Sequence, residues 1–219
     1  MLNRPNRINL VSLVGGFLLL TPLVVLCVRY LDIPLADCVR YRLFASLQWS
    51  SLTSNLPDLL LQGVLAATCG ALVLYQVRSR MGIDDALTRL SKLVAWTAPT
   101  SYLVKSVLKF AFGRVNTRIW LEQPSLYGFH WFQGGQGCEG FPSGHMVVSV
   151  TLLAALCRYY PKTRPWCLLL GVLLGVALVA TAYHFLSDVI AGAYLGVVDE
   201  AVVFWLLVRQ PHHPGNPAI

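Results

Sequence analysis

The sequence predicts an all-α integral membrane protein, a bundle of six transmembrane helices. Three observations predict it. Of the 219 residues, 56% are hydrophobic and 12% charged, with a mean hydropathy of +0.60, whereas a soluble domain carries roughly 25% charged residues. Six apolar runs recur, at about 9–29, 57–77, 91–112, 145–160, 166–183 and 185–208, each near the roughly 17–25 residues that cross a bilayer as a helix. The basic residues cluster alternately between those runs.

The first run follows Arg4 and Arg7, as a secretory signal would. Its apolar stretch is too long for a signal and no A-x-A-like cleavage site follows, so it reads as a retained helix. Arg78, Arg80, Arg89 and Lys92 separate the second run from the third; Arg158, Lys162 and Arg164 separate the fourth from the fifth; Arg209 follows the sixth. Together with Arg4 and Arg7 they fall on one side of a six-span arrangement. The positive-inside bias makes that side cytoplasmic, with both termini inside. The net charge of +7 therefore speaks of topology and not of nucleic acid. The other side holds Arg29, Arg40, Arg42, Arg114 and Arg118, and Lys105 and Lys109 approach it within the third run.

Residues 1–209 leave room for a single membrane-embedded domain with short loops, and the Pro-rich stretch 210–219 reads as a short flexible tail. No repeat with a period of about 20–50 residues is visible. Such compactness suits a bacterial inner membrane. Of the six cysteines, Cys69 is mid-span, and Cys157 and Cys167 lie near the cytoplasmic side. Cys38 and Cys138 fall in outer loops, where an oxidising compartment would permit a disulfide. Two unpaired loop cysteines is the simpler reading.

Pro142-Ser143-Gly144-His145 sits just ahead of the fourth run, at a helix N-terminus. The first backbone N–H groups there lack intrahelical partners and the helix dipole is positive, which favours phosphate. Gly144 permits close approach, Ser143 adds a hydroxyl, and His145 would stand beside a bound anion. The plainer alternative is an ordinary Pro-Ser cap with a surface histidine. His184 and Asp188 are four apart, hence on one helical face. A carboxylate accepting from one ring nitrogen raises the basicity of the other, which makes a nucleophile or base. The alternative is a polar pair joining two helices, although ionisable groups at a membrane boundary are costly enough to mark function. Both histidines fall on the outer face.

Lys105 and Lys109 share a helix face, and Gly113, Arg114 and Arg118 follow where the third helix should end. Cations gathered there would grip a phosphate, or would snorkel to headgroups, which suits Lys105 especially. The loop 113–144 adds Trp120, Tyr127, Phe129, His130, Trp131 and Phe132, rings that favour the bilayer interface. They would anchor the loop or flank a lateral access route for a lipid. Glu122 and Glu139 suit surface ion pairs better than a headgroup amine. Asp199 and Glu200, well inside the sixth run, demand partners and read as structural. Gly192 and Gly196 form a small-xxx-small pattern for close helix packing. His212 and His213 carry little metal signal.

In order, Lys109, then Pro142-Ser143-Gly144-His145, then His184-x-x-x-Asp188 resemble the type-2 phosphatidic acid phosphatase, or lipid phosphate phosphatase, superfamily. Its signatures read K-x-x-x-x-x-x-R-P, P-S-G-H and S-R-x-x-x-x-x-H-x-x-x-D. The resemblance spans residues 105 to 196. It implies that His184 attacks phosphorus with support from Asp188, that His145 protonates the leaving oxygen, and that Lys109, Ser143 and Gly144 hold the phosphoryl oxygens. No metal and no cofactor are implied.

The chain departs from the family where both signature arginines should stand: Asn116 and Thr117 replace Arg-Pro, and Ala177 and Leu178 replace Ser-Arg. Arg114, in a Gly-Arg pair that many members carry, is the first candidate for a replacement phosphate ligand, and Arg118 the second. The expected activity is hydrolysis of a lipid phosphate or diphosphate at the outer leaflet. Rivals are a lipid headgroup phosphotransferase with the same His-His-Asp site and a non-catalytic lipid-binding or transport relative.

Overall fold

The computed structural model of the protein describes residues 10–42, 56–135 and 137–209. Arg4, Arg7 and the tail 210–219, with His212 and His213, lie outside the described residues. Within them the chain is helical and forms no strand, only an isolated bridge between Arg114 and Phe129. α1 (Leu10–Leu26) passes through a π-helical turn, Cys27–Leu31, into α2 (Asp32–Arg42). Then follow α3 (Leu56–Arg80), α4 (Ala86–Phe112), the short α5 (Thr117–Glu122), α6 (Gly144–Tyr159), α7 (Arg164–Ala180) and α8 (Leu186–Arg209).

Each predicted apolar run folds as a helix. Among the described residues, three helices are both long and apolar enough to cross a membrane, Leu10–Arg42, Pro161–Ala180 and Leu186–Val208; Gly144–Tyr159 is apolar but shorter. α1 is apolar all round and buries no residue, the pattern of a helix in contact with lipid. It rests on α8, where the Tyr194 hydroxyl donates to the Leu13 carbonyl.

The first helix continues past its predicted end at residue 29. Pro34 cannot donate to the carbonyl of Tyr30, and the widened turn Cys27–Leu31 just ahead of it absorbs the mismatch. The continuation turns Asp32, Ala36 and Val39 inward on one face. It also corrects the placement of Cys38, which is exposed on α2 and not in a loop. Cys38 and the half-buried Cys138 are both free thiols, so the disulfide is not formed.

α3 and α4 form a hairpin closed by Asp85. Its carboxylate caps α4 by accepting from the Thr88 N–H at 2.9 Å and receives Arg78 at 2.6 Å. α6 and α8 make the most extensive helix pair, with α4 against both and α7 alongside. Glycine permits that closeness. A Cβ at Gly192 would lie 2.6 Å from the Ser143 carbonyl oxygen, and one at Gly196 would lie 2.6 Å from that of Val147. Thr151 donates across the same seam to the Gly196 carbonyl at 3.1 Å.

Deeper in the bundle, the two acidic residues of α8 find partners. Glu200 forms an ion pair with Arg158, whose guanidinium lies 3.9 Å from the centre of the Phe204 ring. Asp199 accepts from the Thr100 hydroxyl at 3.3 Å. These contacts hold α4, α6 and α8 together away from both histidines, consistent with a structural role.

Gly196→Ala is expected to lower stability by about 1–3 kcal/mol, because a methyl group there overlaps α6 backbone. Gly70→Ala, in an open position of α3 with nothing within 4 Å, should be neutral or stabilising. Unfolding of the two variants in detergent, compared with wild type, checks this.

Candidate active site

α7 ends at Ala180, and Ala182 takes a left-handed conformation with φ of 51°. The Leu178 carbonyl then accepts from both Tyr183 and His184 backbone N–H, at 3.0 and 3.3 Å. His184 therefore lies in a turn ahead of α8, not on the helix face that its spacing from Asp188 predicts. The two still meet, by helix capping. Asp188 is the third residue of α8 and reaches back to accept from the Phe185 N–H at 2.9 Å, as the distal carboxylate of a capping box does. That places Asp188 Oδ2 3.8 Å from His184 Nδ1, facing it but too far for a hydrogen bond.

The other oxygen of Asp188 is held by Arg114. Gly113 ends α4 in the left-handed region, φ 53°, with its N–H on the Lys109 carbonyl, and the chain turns Arg114 inward to 0% exposure. Arg114 Nη1 donates to Asp188 Oδ1 and to Ser187 Oγ, both at 2.6 Å. Nη2 donates to Asp32 Oδ2 at 2.7 Å and to the Tyr127 hydroxyl at 3.2 Å. Asp32 also accepts from the Ser187 N–H at 3.0 Å and from the Ser187 hydroxyl. The rings of Phe185, Phe129 and Tyr127 surround the guanidinium at 4.7, 5.0 and 5.5 Å. Burial works against the charge on Arg114, but Asp188 and Asp32 outweigh it and hold its pKa above the ordinary arginine value.

Opposite this cluster, Ser143 caps α6, its hydroxyl accepting from the Met146 N–H, while its own N–H donates to the Asp188 carbonyl at 3.0 Å. The signature turn is thus tied directly to α8. Lys105 and Lys109 lie against Gly144: a Cβ there would stand 2.9 Å from Lys105 Cδ and 3.5 Å from Lys109 Cε. Glu139 acts through space on both lysines, and Asp188 acts on Lys109. The rings of His145 and His184 are 6.0 Å apart, and Tyr183 lies 6.4 Å from His145. Arg118, on α5, spans Tyr183 at 3.9 Å and donates to the Thr181 carbonyl at 3.4 Å.

The fold thus brings together His145, His184, Asp188, Lys109, Ser143, Gly144 and Arg118, and adds Lys105, for which snorkelling was the favoured role. Arg114 stands behind Asp188 with both terminal nitrogens on protein side chains, a different position from the phosphate contact expected of it. Asn116, in place of a signature arginine, caps α5 by accepting from the Ile119 N–H. Leu178, in place of the other, is buried against Met146 and Val189.

Asp32 and Ser187 escaped the sequence reading. The available signal was a carboxylate directly after the first apolar run, where the helix could continue. Among the described residues no group of three or more His, Cys, Asp or Glu side chains is placed to hold a metal ion.

The PAP2 superfamily model matches residues 90–211, more than half of the chain. A lipid A 1-phosphatase of Rhizobium johnstonii is 32% identical over 112 residues, covering 50% of this chain and 46% of that protein. A lipid A 1-phosphatase of Rhizobium etli is 32% identical over 100 residues, covering 46% and 43%. The bacitracin transport permease protein BcrC of Bacillus licheniformis is 32% identical over 67 residues, covering 31% and 33%. The match thus spans less than half the length of each of these curated relatives. No solved structure matches the chain.

Gly113→Ala is expected to cost at least about 2 kcal/mol, since it combines a left-handed backbone with a steric clash. A Cβ there would fall 1.9 Å from the His130 carbonyl oxygen. A lowered thermal midpoint in detergent, read beside Gly82→Ala, which shares the positive φ but is open, isolates the clash.

Proposed function

The chain belongs to the PAP2 superfamily, and from that premise we propose that it hydrolyses a lipid phosphate or diphosphate through a phosphohistidine on His184. The observation that carries this reading is the separation of the two imidazoles, 6.0 Å between ring centres, which a phosphoryl group can bridge. Asp188 faces Nδ1 of His184, which leaves Nε2 as the attacking nitrogen. Nε2 bonds to phosphorus as the bond from phosphorus to the lipid oxygen breaks, and His145 gives that oxygen a proton. Water then attacks the phosphohistidine, giving its proton to His145, and the P–N bond breaks to release inorganic phosphate.

Charge grows on the phosphoryl oxygens in both steps. Fixed donors aimed at that charge give the largest type of catalytic stabilisation. Lys109 and Lys105 beside Gly144, the positive N-terminal end of α6 and Arg118 supply them. Arg118 takes the place of the arginine missing at Leu178, since it reaches the end of α7 from α5. Arg114 acts through Asp188.

The proposed substrate is a lipid. An apolar groove of about 970 Å³ runs beside the site, lined by Met146, Val150, Val179, Leu186, Val189 and Tyr194 among others. It offers room for acyl or prenyl chains while Lys109 and His184 take the headgroup end. All six long helices are proposed to cross a bacterial inner membrane, with both termini cytoplasmic. Arg78, Arg80, Arg89, Lys92 and Arg158 then mark the cytoplasmic end, and the histidines face the periplasm or exterior. Leu178 keeps one alternative in view, transfer of the phosphoryl group to an alcohol, as an altered cation set would permit.

Purified protein is expected to release inorganic phosphate from at least one of lipid A, phosphatidic acid and undecaprenyl diphosphate with chelator present. His184→Ala should lose roughly 10³-fold or more of kcat, and Arg118→Ala about 10–100-fold of kcat/KM, the size of a lost charged hydrogen bond. Mass spectrometry showing a new phosphorylated alcohol, with no free phosphate, would favour transfer. Full activity in His184→Ala would refute the mechanism.

A further inference from the structure

We propose that Asp32 is a positioning residue for this reaction: through Arg114, it leaves Asp188 negatively charged toward His184. The inference rests on the phosphohistidine reading above. Arg114 and Asp188 alone would form a neutral pair, with the guanidinium drawing the carboxylate field away from the imidazole. Asp32 changes that balance. Its Oδ2 holds the other terminal nitrogen of Arg114 at 2.7 Å, and Asp32, Arg114 and Asp188 are 1%, 0% and 0% exposed. Two carboxylates around one guanidinium leave one negative charge in excess, in a setting where water does not screen it.

That excess faces His184. Its ring nitrogen is 3.8 Å from Asp188 Oδ2. The His145 ring faces that of His184 at 6.0 Å between centres, and the site also holds Lys105 and Lys109 on α4, Glu139 ahead of α6, Arg118 on α5 and Tyr183. When Nε2 takes up a phosphoryl group, the imidazole becomes cationic, so a negative charge fixed behind Nδ1 stabilises the transition state more than the ground state. Arg114 is thereby a spacer between two carboxylates. Ser187 completes the link, its hydroxyl accepting from Arg114 and donating to Asp32.

Asp32 lies on α2, outside the residues 90–211 matched by the family model. The inward turn of α2 after the π-helical segment Cys27–Leu31 delivers it to the start of α8. The first helix is therefore a working part of the site as well as a membrane element.

The test compares kcat and KM of wild type, His184→Ala, Asp32→Asn, Ser187→Ala and the pair Asp32→Asn with Arg114→Gln. The substrates are lipid A, phosphatidic acid and undecaprenyl diphosphate in detergent micelles, and only protein that elutes as a monodisperse species is assayed. Asp32→Asn should lower kcat roughly 10–100-fold with KM within about twofold. Ser187→Ala, which keeps every charge and removes only the hydroxyl link, should lower kcat less than Asp32→Asn does. The pair variant restores the single excess negative charge and should recover at least about tenfold over Asp32→Asn, a sign of coupling that simple loss of packing does not produce.

Asp32→Asn at wild-type kcat, with His184→Ala dead, overturns this proposal alone, and so does a pair variant slower than Asp32→Asn. Wild type inert on all three lipids overturns the phosphatase reading and this one with it. If Asp32→Asn does not fold, the pair variant decides: a kcat within about 30-fold of wild type supports the proposal and a larger loss overturns it.

Discussion

The structure depends on one buried guanidinium. Arg114 holds the first helix through Asp32, the last helix through Asp188 and Ser187, and the loop after α5 through Tyr127. Removing Arg114 would leave two buried carboxylates uncompensated, which is far more costly than a surface ion pair is worth. Everything near the histidines is registered against this point. Asp188 is held on one oxygen by Arg114 and on the other by the Phe185 N–H, so its carboxylate has little freedom to turn away from His184.

Around that point the site is assembled by close approach of backbone. Gly192 lets α8 meet the Ser143 turn, and the Ser143 N–H closes the contact on the Asp188 carbonyl. Gly144 admits the two lysines of α4 to the start of α6. A side chain at either glycine would move the Ser143 turn relative to its neighbours on α4 and α8. At the other end of the bundle, Arg158 and Glu200 perform the same service for helix packing. The molecule thus has one polar cluster at each end and apolar contacts such as Met146, Leu178 and Val189 between them.

Much of this was legible in the chain. The six apolar runs became six long helices, and Lys109, the Pro-Ser-Gly-His turn, His184 and Asp188 lie near one another. Asp199 and Glu200 proved buried and partnered. The departures have local causes. His184 sits in a turn because Ala182 breaks the helix, and the first helix runs past residue 29 because a π-helical turn accommodates Pro34. Arg114 was legible as a cation near the site but not as one shared by two carboxylates. Its partner Asp32 lies 82 positions away in the chain, and no periodicity connects them.

The sequence by itself determined the helical class, the apolar character and which side chains are candidates for the chemistry. Those follow from hydrophobic runs of membrane length and from chemistry that requires particular side chains in a particular order. The tertiary structure decided which cations lie beside the histidine turns and which stand behind the carboxylate. Arg114 and Arg118 are near neighbours in the chain and both read as phosphate ligands, yet the left-handed turn at Gly113 sends one into the core and α5 carries the other to the end of α7. Charge is written in sequence, but its partner is chosen by distance, and distance exists only once the helices pack.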